Sequence, residues 1–158
     1  MKLRRILPLF LLFLVAILVF ASCGKKEPEE TEPKLEPIEL SNFSSYKIVY
    51  PEEPGPELLL AARALYEDIK TKTGVSLPMS DDFVMPDWAN GGAQVVPTDT
   101  LEILVGVTNR KESTAKDLGR DDWGIYFENG RLVISGGSEA TVARAVEHFR
   151  ANYLKDGR

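Results

Sequence analysis

The chain has only one cysteine and one histidine among its 158 residues. One cysteine cannot close an internal disulfide, and it argues against a cysteine-based zinc site. Nothing in the sequence resembles a phosphate-binding Walker loop, a dinucleotide-binding fingerprint or a cluster of metal ligands, so we expect no cofactor and no metal. A chain of this length has room for one domain, whose stability must come from its own apolar core.

Basic residues give the chain a net positive charge only at its start. The formal charge is −5, and Lys2, Arg4 and Arg5 give the first 22 residues +3, which leaves −8 on the remainder. An acidic protein is a poor electrostatic match for nucleic acid or for anionic lipid head groups. We therefore expect no nucleic-acid partner.

Residues 1–22 have the order of a secretory signal peptide, with a basic start, an apolar run and then small residues. Ile6 to Phe20 is uncharged and is interrupted only by Pro8. As a helix this run would be about 22 Å long, short of the roughly 30 Å hydrocarbon core of a bilayer. We interpret it as a signal sequence rather than a permanent transmembrane span.

The apolar run ends in Phe20-Ala21-Ser22-Cys23, which resembles the lipobox of bacterial lipoproteins, although Phe20 replaces the usual aliphatic residue. The resemblance implies cleavage before Cys23, attachment of diacylglycerol to its sulfur and acylation of the new amino terminus. Several acyl chains anchor a protein firmly, because each buried CH₂ contributes about 0.8 kcal/mol. We expect a lipid-anchored protein on the extracytoplasmic face of the cell membrane; the alternative is ordinary cleavage after Ser22 with an unmodified cysteine.

Residues 23–43 form an acidic, proline-rich segment. Residues 24–42 contain six glutamates, three prolines and few large apolar side chains, a composition that cannot build a core. Prolines favour an extended chain, so this segment is predicted to be a disordered tether that spans roughly 50 Å.

Regular apolar periodicity begins after this tether and predicts a folded domain over residues 44–155. The spacing alternates between strand and helix periods, which indicates an α+β fold, a sheet with helices packed on it. The predicted elements are a strand at Tyr46–Tyr50, a helix over 57–73, a brief strand at Val75–Leu77, a buried central strand at Leu101–Val107, a short helix at Lys111–Leu118, a hairpin at Gly124–Ser135 and a helix over 139–154.

The hairpin is the sharpest local signal. Asn129-Gly130 favours a two-residue type I′ turn. This turn sets the register, so that Glu128 lies opposite Arg131 and the side chains alternate between two faces. One face would carry Ile125, Phe127, Leu132 and Ile134, and the other Tyr126 and Val133.

Three segments together resemble one known family. They are Tyr46–Tyr50 with the helix that ends before Gly74-Val-Ser-Leu-Pro78, the segment Glu102–Arg110, and Gly124–Phe149 with its hairpin and Gly-Gly-Ser sequence. In order and spacing they are similar to the N-terminal accessory domain of family 20 β-N-acetylhexosaminidases and family 67 α-glucuronidases, over about residues 44–154. The resemblance implies a mixed sheet with two helices on one side that buttresses a catalytic barrel and supplies no general acid or nucleophile.

No catalytic residue is carried over from that resemblance, because the family's catalytic carboxylate motif has no counterpart here. Glycoside hydrolysis needs two carboxyls held about 5 to 9.5 Å apart. The adjacent pairs Asp81-Asp82 and Asp121-Asp122 point their side chains in opposite directions in an extended chain, so we interpret them as solvated loop charges. His148 lacks a recognisable Ser or Cys partner and is not expected to be a catalytic base.

Two kinds of binding feature remain open. Gly136-Gly137-Ser138 before the last helix is either a tight turn, which we favour, or an anion site on free amides. Trp88, in the long segment from Pro78 to Thr100, is a possible glycan contact through stacking on a sugar ring, whereas Trp123 is expected to pack at a strand start.

The sequence therefore predicts a membrane-tethered, non-catalytic lipoprotein that serves as a scaffold or weak glycan contact in carbohydrate metabolism. Its expected partners are the membrane, through the lipid on Cys23, and a glycan or a glycosidase barrel. The alternatives are a glycan-binding lipoprotein and the N-terminal fragment of a longer glycoside hydrolase.

Overall fold

The computed structural model describes residues 40–98 and 100–154. The predicted signal peptide, Cys23 and all but the end of the predicted tether lie outside these residues. Among the described residues, no helix has the length and apolar character needed to cross a bilayer.

The described residues form an α+β fold with one five-stranded sheet and two α-helices. The strands are β1 (Lys47–Tyr50), β2 (Met79–Asp81), β3 (Glu102–Val105), β4 (Trp123–Glu128) and β5 (Arg131–Gly136), and the helices are α1 (Pro56–Thr73) and α2 (Glu139–Asn152). Their order across the sheet is β2-β1-β3-β5-β4. Only β4 runs antiparallel to its neighbour, so the sheet is mixed, and the predicted fold class is confirmed.

Both helices cover the same face of the sheet. Alternate strand residues point to them, and the larger apolar cluster combines Ile48, Ile103 and Ile134 of the sheet with Leu65 of α1 and Phe149 of α2. The intervening residues point to the second face. There a smaller cluster comprises Val49, Leu104, Tyr126 and Val133. The central strand β3 is buried on both faces, as its apolar run predicted.

Helix α1 begins and ends where the sequence indicated. Pro56 suits the first turn of α1, because proline has no N–H and the N–H groups of a first turn have no acceptor within the helix. At the other end, Gly74 adopts a left-handed conformation with φ of 72° and donates to the Lys70 carbonyl. This residue is the predicted stop.

The hairpin is also confirmed in turn type and register. Asn129 and Gly130 have φ of 48° and 78°, the positive values that a type I′ turn requires. Glu128 lies opposite Arg131 and Ile125 opposite Ile134, as predicted.

Two predicted elements were wrong. Val75–Leu77 is not a strand, because pairing with β1 begins only at the Pro78 carbonyl, which accepts from the Ile48 amide at 2.8 Å. Lys111–Leu118 is not a continuous helix, since only Lys111–Thr114 forms a 3-10 turn. Ser113 Oγ donates to local carbonyls there, and such bonds compete with helix continuation.

Candidate functional site

The second face of the sheet contains a cluster of buried charges that the sequence patterns did not predict. At its centre is Glu102, the first residue of β3, which is fully buried. Arg110 Nη2 lies 3.0 Å from Glu102 Oε1, and Arg131 Nε lies 2.8 Å from Glu102 Oε2. Lys47 of β1 approaches the same carboxylate at 3.0 Å. Three neighbouring strands and one loop therefore meet at a single carboxylate.

Arg131 extends this cluster to a second buried carboxylate. Its Nη1 lies 3.0 Å from Glu112 Oε1, in the 3-10 turn that covers the second face. Asn129 of the hairpin turn donates to the same oxygen at 3.2 Å. On its other side, Arg131 Nη2 donates to the Pro97 carbonyl at 2.7 Å. The guanidinium thus joins the hairpin to two separate covering segments.

The electrostatic environment keeps Glu102 ionised. Burial alone would raise its pKa, but the hydrogen bonds from Arg110 and Lys47, together with the charge of Arg110, lower the pKa from 4.5 to about 2. For Glu112, burial again opposes the charged form, while its own backbone amide, Asn129 and the charge of Arg131 lower the pKa. Both groups act as fixed anions rather than as proton carriers near neutral pH.

The position of the cluster in the sheet also bears on its role. Lys47, Glu102 and Arg131 are the first residues of β1, β3 and β5. In open sheets with parallel strands, ligands bind beyond the opposite ends, where the strands finish. Every buried side-chain nitrogen and oxygen of the described residues has a hydrogen-bond partner. The cluster therefore has a structural role, because its ion pairs and hydrogen bonds hold the covering segments against the sheet.

Asp82 corrects one prediction. It was expected to be a solvated loop charge, yet only 7% of its surface is exposed. Its Oδ1 accepts from the Glu52 amide at 2.8 Å and its Oδ2 from the Asn109 amide at 2.6 Å. Asp82 thus ties together the loops that follow β1 and β3. Asp81, Asp121 and Asp122 are exposed, as predicted.

The Gly136-Gly137-Ser138 turn has its first amides already engaged. Gly137 N–H donates to the Asp122 carbonyl, and Ser138 N–H donates to Thr141 Oγ1. Ser138 Oγ accepts in turn from the Thr141 amide, which completes a capping box at the start of α2. This geometry favours the tight-turn interpretation over an anion site. A cleft of about 500 Å³ lies beside it, lined by Val107, Ser113, Thr114, Lys116, Asp117, Leu118, Ser135, Gly136 and Gly137.

The remaining aromatic candidates occupy different places. Trp123 is half-buried at the start of β4 and packs on His148 of α2, with ring centroids 4.9 Å apart. This contact confirms the predicted packing role of Trp123 and gives His148 a structural neighbour. Trp88 lies far more open, with 79% of its surface exposed.

Among the described residues, no group of three side chains is placed to hold a metal ion. No protein-family model matches this chain, and no curated protein matches it. The similarity to glycosidase accessory domains therefore stays a prediction from the sequence.

Proposed function

We propose that this chain is a lipid-anchored, extracytoplasmic protein whose folded part is a non-catalytic module of the kind that precedes glycoside hydrolase barrels. Its partners would be the membrane, through the lipid on Cys23, and a glycan or a glycosidase barrel. The folded part would act as a spacer and contact surface rather than as an enzyme.

The observation that supports this proposal is the set of ion pairs made by the buried carboxylates of Glu102 and Glu112. Glycosidase carboxyls face each other across a cleft that admits a sugar. Glu102 and Glu112 instead share Arg131 and lie beneath covering segments. Both carboxylates are therefore engaged in ion pairs that stabilise the fold, which supports a scaffold role rather than hydrolase activity.

Membrane anchoring is tested by the fate of Cys23 in a bacterial host. The full chain is expected to enter the detergent phase on Triton X-114 partitioning and to carry acyl groups detectable by mass spectrometry. Cys23→Ser removes the acceptor sulfur, so it should abolish the acyl mass. A wild-type protein that stays in the aqueous phase and carries no acyl mass would contradict the anchoring proposal.

The non-catalytic role is tested separately. The purified full chain is incubated with a panel of aryl glycosides, and released phenol is followed by absorbance. We expect no turnover above the buffer rate. Turnover above the buffer rate that co-purifies with the wild-type protein would reject the proposal.

A further inference from the structure

The segment around Trp88 is a small closed loop with its own internal order. Asp87 pairs with Ala93 as an isolated antiparallel bridge, and the Asp87 amide donates to the Ala93 carbonyl at 3.1 Å. Inside this bridge, the Asp87 carbonyl accepts from the Asn90 and Gly92 amides at 3.1 and 2.8 Å. Asn90 Nδ2 also donates to Asp87 Oδ2 at 2.7 Å. The loop therefore fixes the backbone from which the indole projects.

Gly92 determines how closely the indole lies to the loop. Its φ is +74°, and a Cβ placed there would lie only 3.0 Å from Cε3 and Cζ3 of Trp88. Real Cβ atoms rarely come this close, so the ring position depends on the missing side chain. The six-membered ring rests on Gly92 while 79% of Trp88 stays exposed. An aromatic ring that is held in place yet open to solvent loses little conformational freedom when a ligand stacks on it.

The charges around the ring indicate which ligands it would accept. Asp87 is the only charged side chain in residues 83–96. Its Oδ2 is held by Asn90, and the described residues give Oδ1 no hydrogen-bond donor. A carboxylate oxygen can accept from sugar hydroxyls, and an aromatic face can contact sugar C–H groups. An anionic ligand would instead meet the Asp87 charge without any cation in the segment.

From these observations we propose that the Trp88 loop, residues 87–93, is a binding platform for a neutral saccharide. A pyranose ring stacks on the exposed indole, and its hydroxyls donate to Asp87 Oδ1. The inference rests on the proposed extracytoplasmic function, because that location is where the chain would meet polysaccharide. It names the ligand class that the proposed function leaves open.

A bilayer surface is a less suitable occupant for the same loop. Segments that lie in the membrane interface usually carry Lys or Arg on their polar side, whereas residues 83–96 carry none. Insertion of Trp88 would also bring Asp87 and Asn90 out of water, which is unfavourable for groups with unfilled hydrogen-bonding capacity. Phe83, Met85 and Val95 of the same segment are exposed as well, so the bilayer is retained as an outcome of the test.

The test is titration of the purified full chain in mild detergent with a panel of neutral oligosaccharides, built from glucose, xylose, mannose, galactose or N-acetylglucosamine. Tryptophan fluorescence reports binding directly, since the chain has only Trp88 and the half-buried Trp123. We expect saturable binding of at least one member and a weakening of about tenfold or more in Trp88→Ala. Isothermal calorimetry measures the same affinities in the variant that lacks the reporter.

Two further variants test whether binding depends on the Trp88 loop or on any exposed apolar side chain. Gly92→Ala keeps Trp88 but pushes a methyl group against its ring, so it should weaken binding severalfold. Leu60→Ala removes another exposed apolar side chain, on α1, and should bind like the wild type. All variants should keep the far-ultraviolet circular dichroism of the wild type, which shows that the fold is intact.

Several results would overturn the proposal. These are no binding across the panel, binding that Trp88→Ala leaves unchanged, or a preference for acidic polymers such as polygalacturonate. Trp88-dependent binding to phosphatidylglycerol vesicles without saccharide binding would assign the loop to the membrane instead. None of these results affects anchoring through Cys23 or the absence of turnover, so failure here is distinguishable from failure of the proposed function.

Discussion

Arg131 Nε donates to Glu102 Oε2 at 2.8 Å, and both side chains are at least 97% buried. The two residues begin adjacent parallel strands, β5 and β3, and point to the face that the helices leave uncovered. With Arg110 and Glu112 they form a set of two buried cations and two buried anions. Such a set is tolerated in a protein interior only when the charges balance and the hydrogen bonds are complete.

Removal of the Glu102 charge should therefore be strongly destabilising. Glu102→Gln leaves the buried guanidiniums of Arg110 and Arg131 without their shared counterion. We expect the free energy of unfolding to fall by about 3 kcal/mol or more, as measured by urea denaturation. The control is Glu67→Gln on the exposed surface of α1, which should change stability by less than about 0.5 kcal/mol. Equal effects of the two substitutions would show that the cluster contributes no more than a surface charge.

Stability should also depend on pH in a defined window. The pKa of Glu102 is about 2 in the fold, against 4.5 ordinarily, so the folded state binds its proton less readily than the unfolded state does. The contribution is fully present above pH 4.5 and is lost progressively as the pH falls towards 2. The lowered pKa values of Glu112 and Asp68 act in the same direction. Urea midpoints measured between these limits should decline with acid, and Glu102→Gln should decline less steeply.

Local signals were enough to predict most of the fold. Asn129-Gly130 determines the hairpin because both turn positions need positive φ values, which Asn and Gly adopt readily. Gly74 ends α1 because it also adopts a positive φ. The apolar alternation of β5 then shows which side chains face the helices. Where local signals conflict, the prediction failed. Val75–Leu77 has strand-like composition, but its neighbour Pro78 and the burial of Leu77 place the strand four residues later, at Met79–Asp81.

The charge cluster could not be predicted in the same way, because its members are distant in sequence. Glu102 lies 29 residues from Arg131, and no local periodicity joins them. One signal was present in the sequence. An acidic residue opens the most apolar strand, where a charge must find a buried partner or remain exposed. The strand order that brings Arg131 beside Glu102 follows from the tertiary fold. Trp88 could be singled out in the sequence only as a tryptophan in a long loop.

Substitution of the glycine at the end of β5 is expected to destabilise the protein. A Cβ at Gly136 would lie 2.8 Å from the Val142 amide nitrogen and 2.9 Å from the Thr141 carbonyl carbon, both in the backbone of α2. Gly136→Ala should force the first turn of α2 away from the sheet and cost about 1 to 3 kcal/mol. Gly74→Ala is the matched comparison, because nothing lies within 4 Å of its Cβ and only backbone strain opposes it. A smaller loss for Gly136→Ala than for Gly74→Ala in thermal unfolding would contradict this packing argument.

Glu139 connects the two helices through a single hydrogen bond. It is the first residue of α2, where a negative charge interacts favourably with the helix dipole. Its Oε1 also accepts from the Gly55 amide at 2.8 Å, and Gly55 is the N-cap of α1, which has no side-chain cap of its own. Glu139→Ala should therefore destabilise the protein by about 1 kcal/mol, while Glu139→Gln retains the acceptor and should lose less. Glu147→Ala, on the exposed side of the same helix, provides the control. If both alanine variants unfold at the same urea concentration, the carboxylate of Glu139 does not cap α1 in solution.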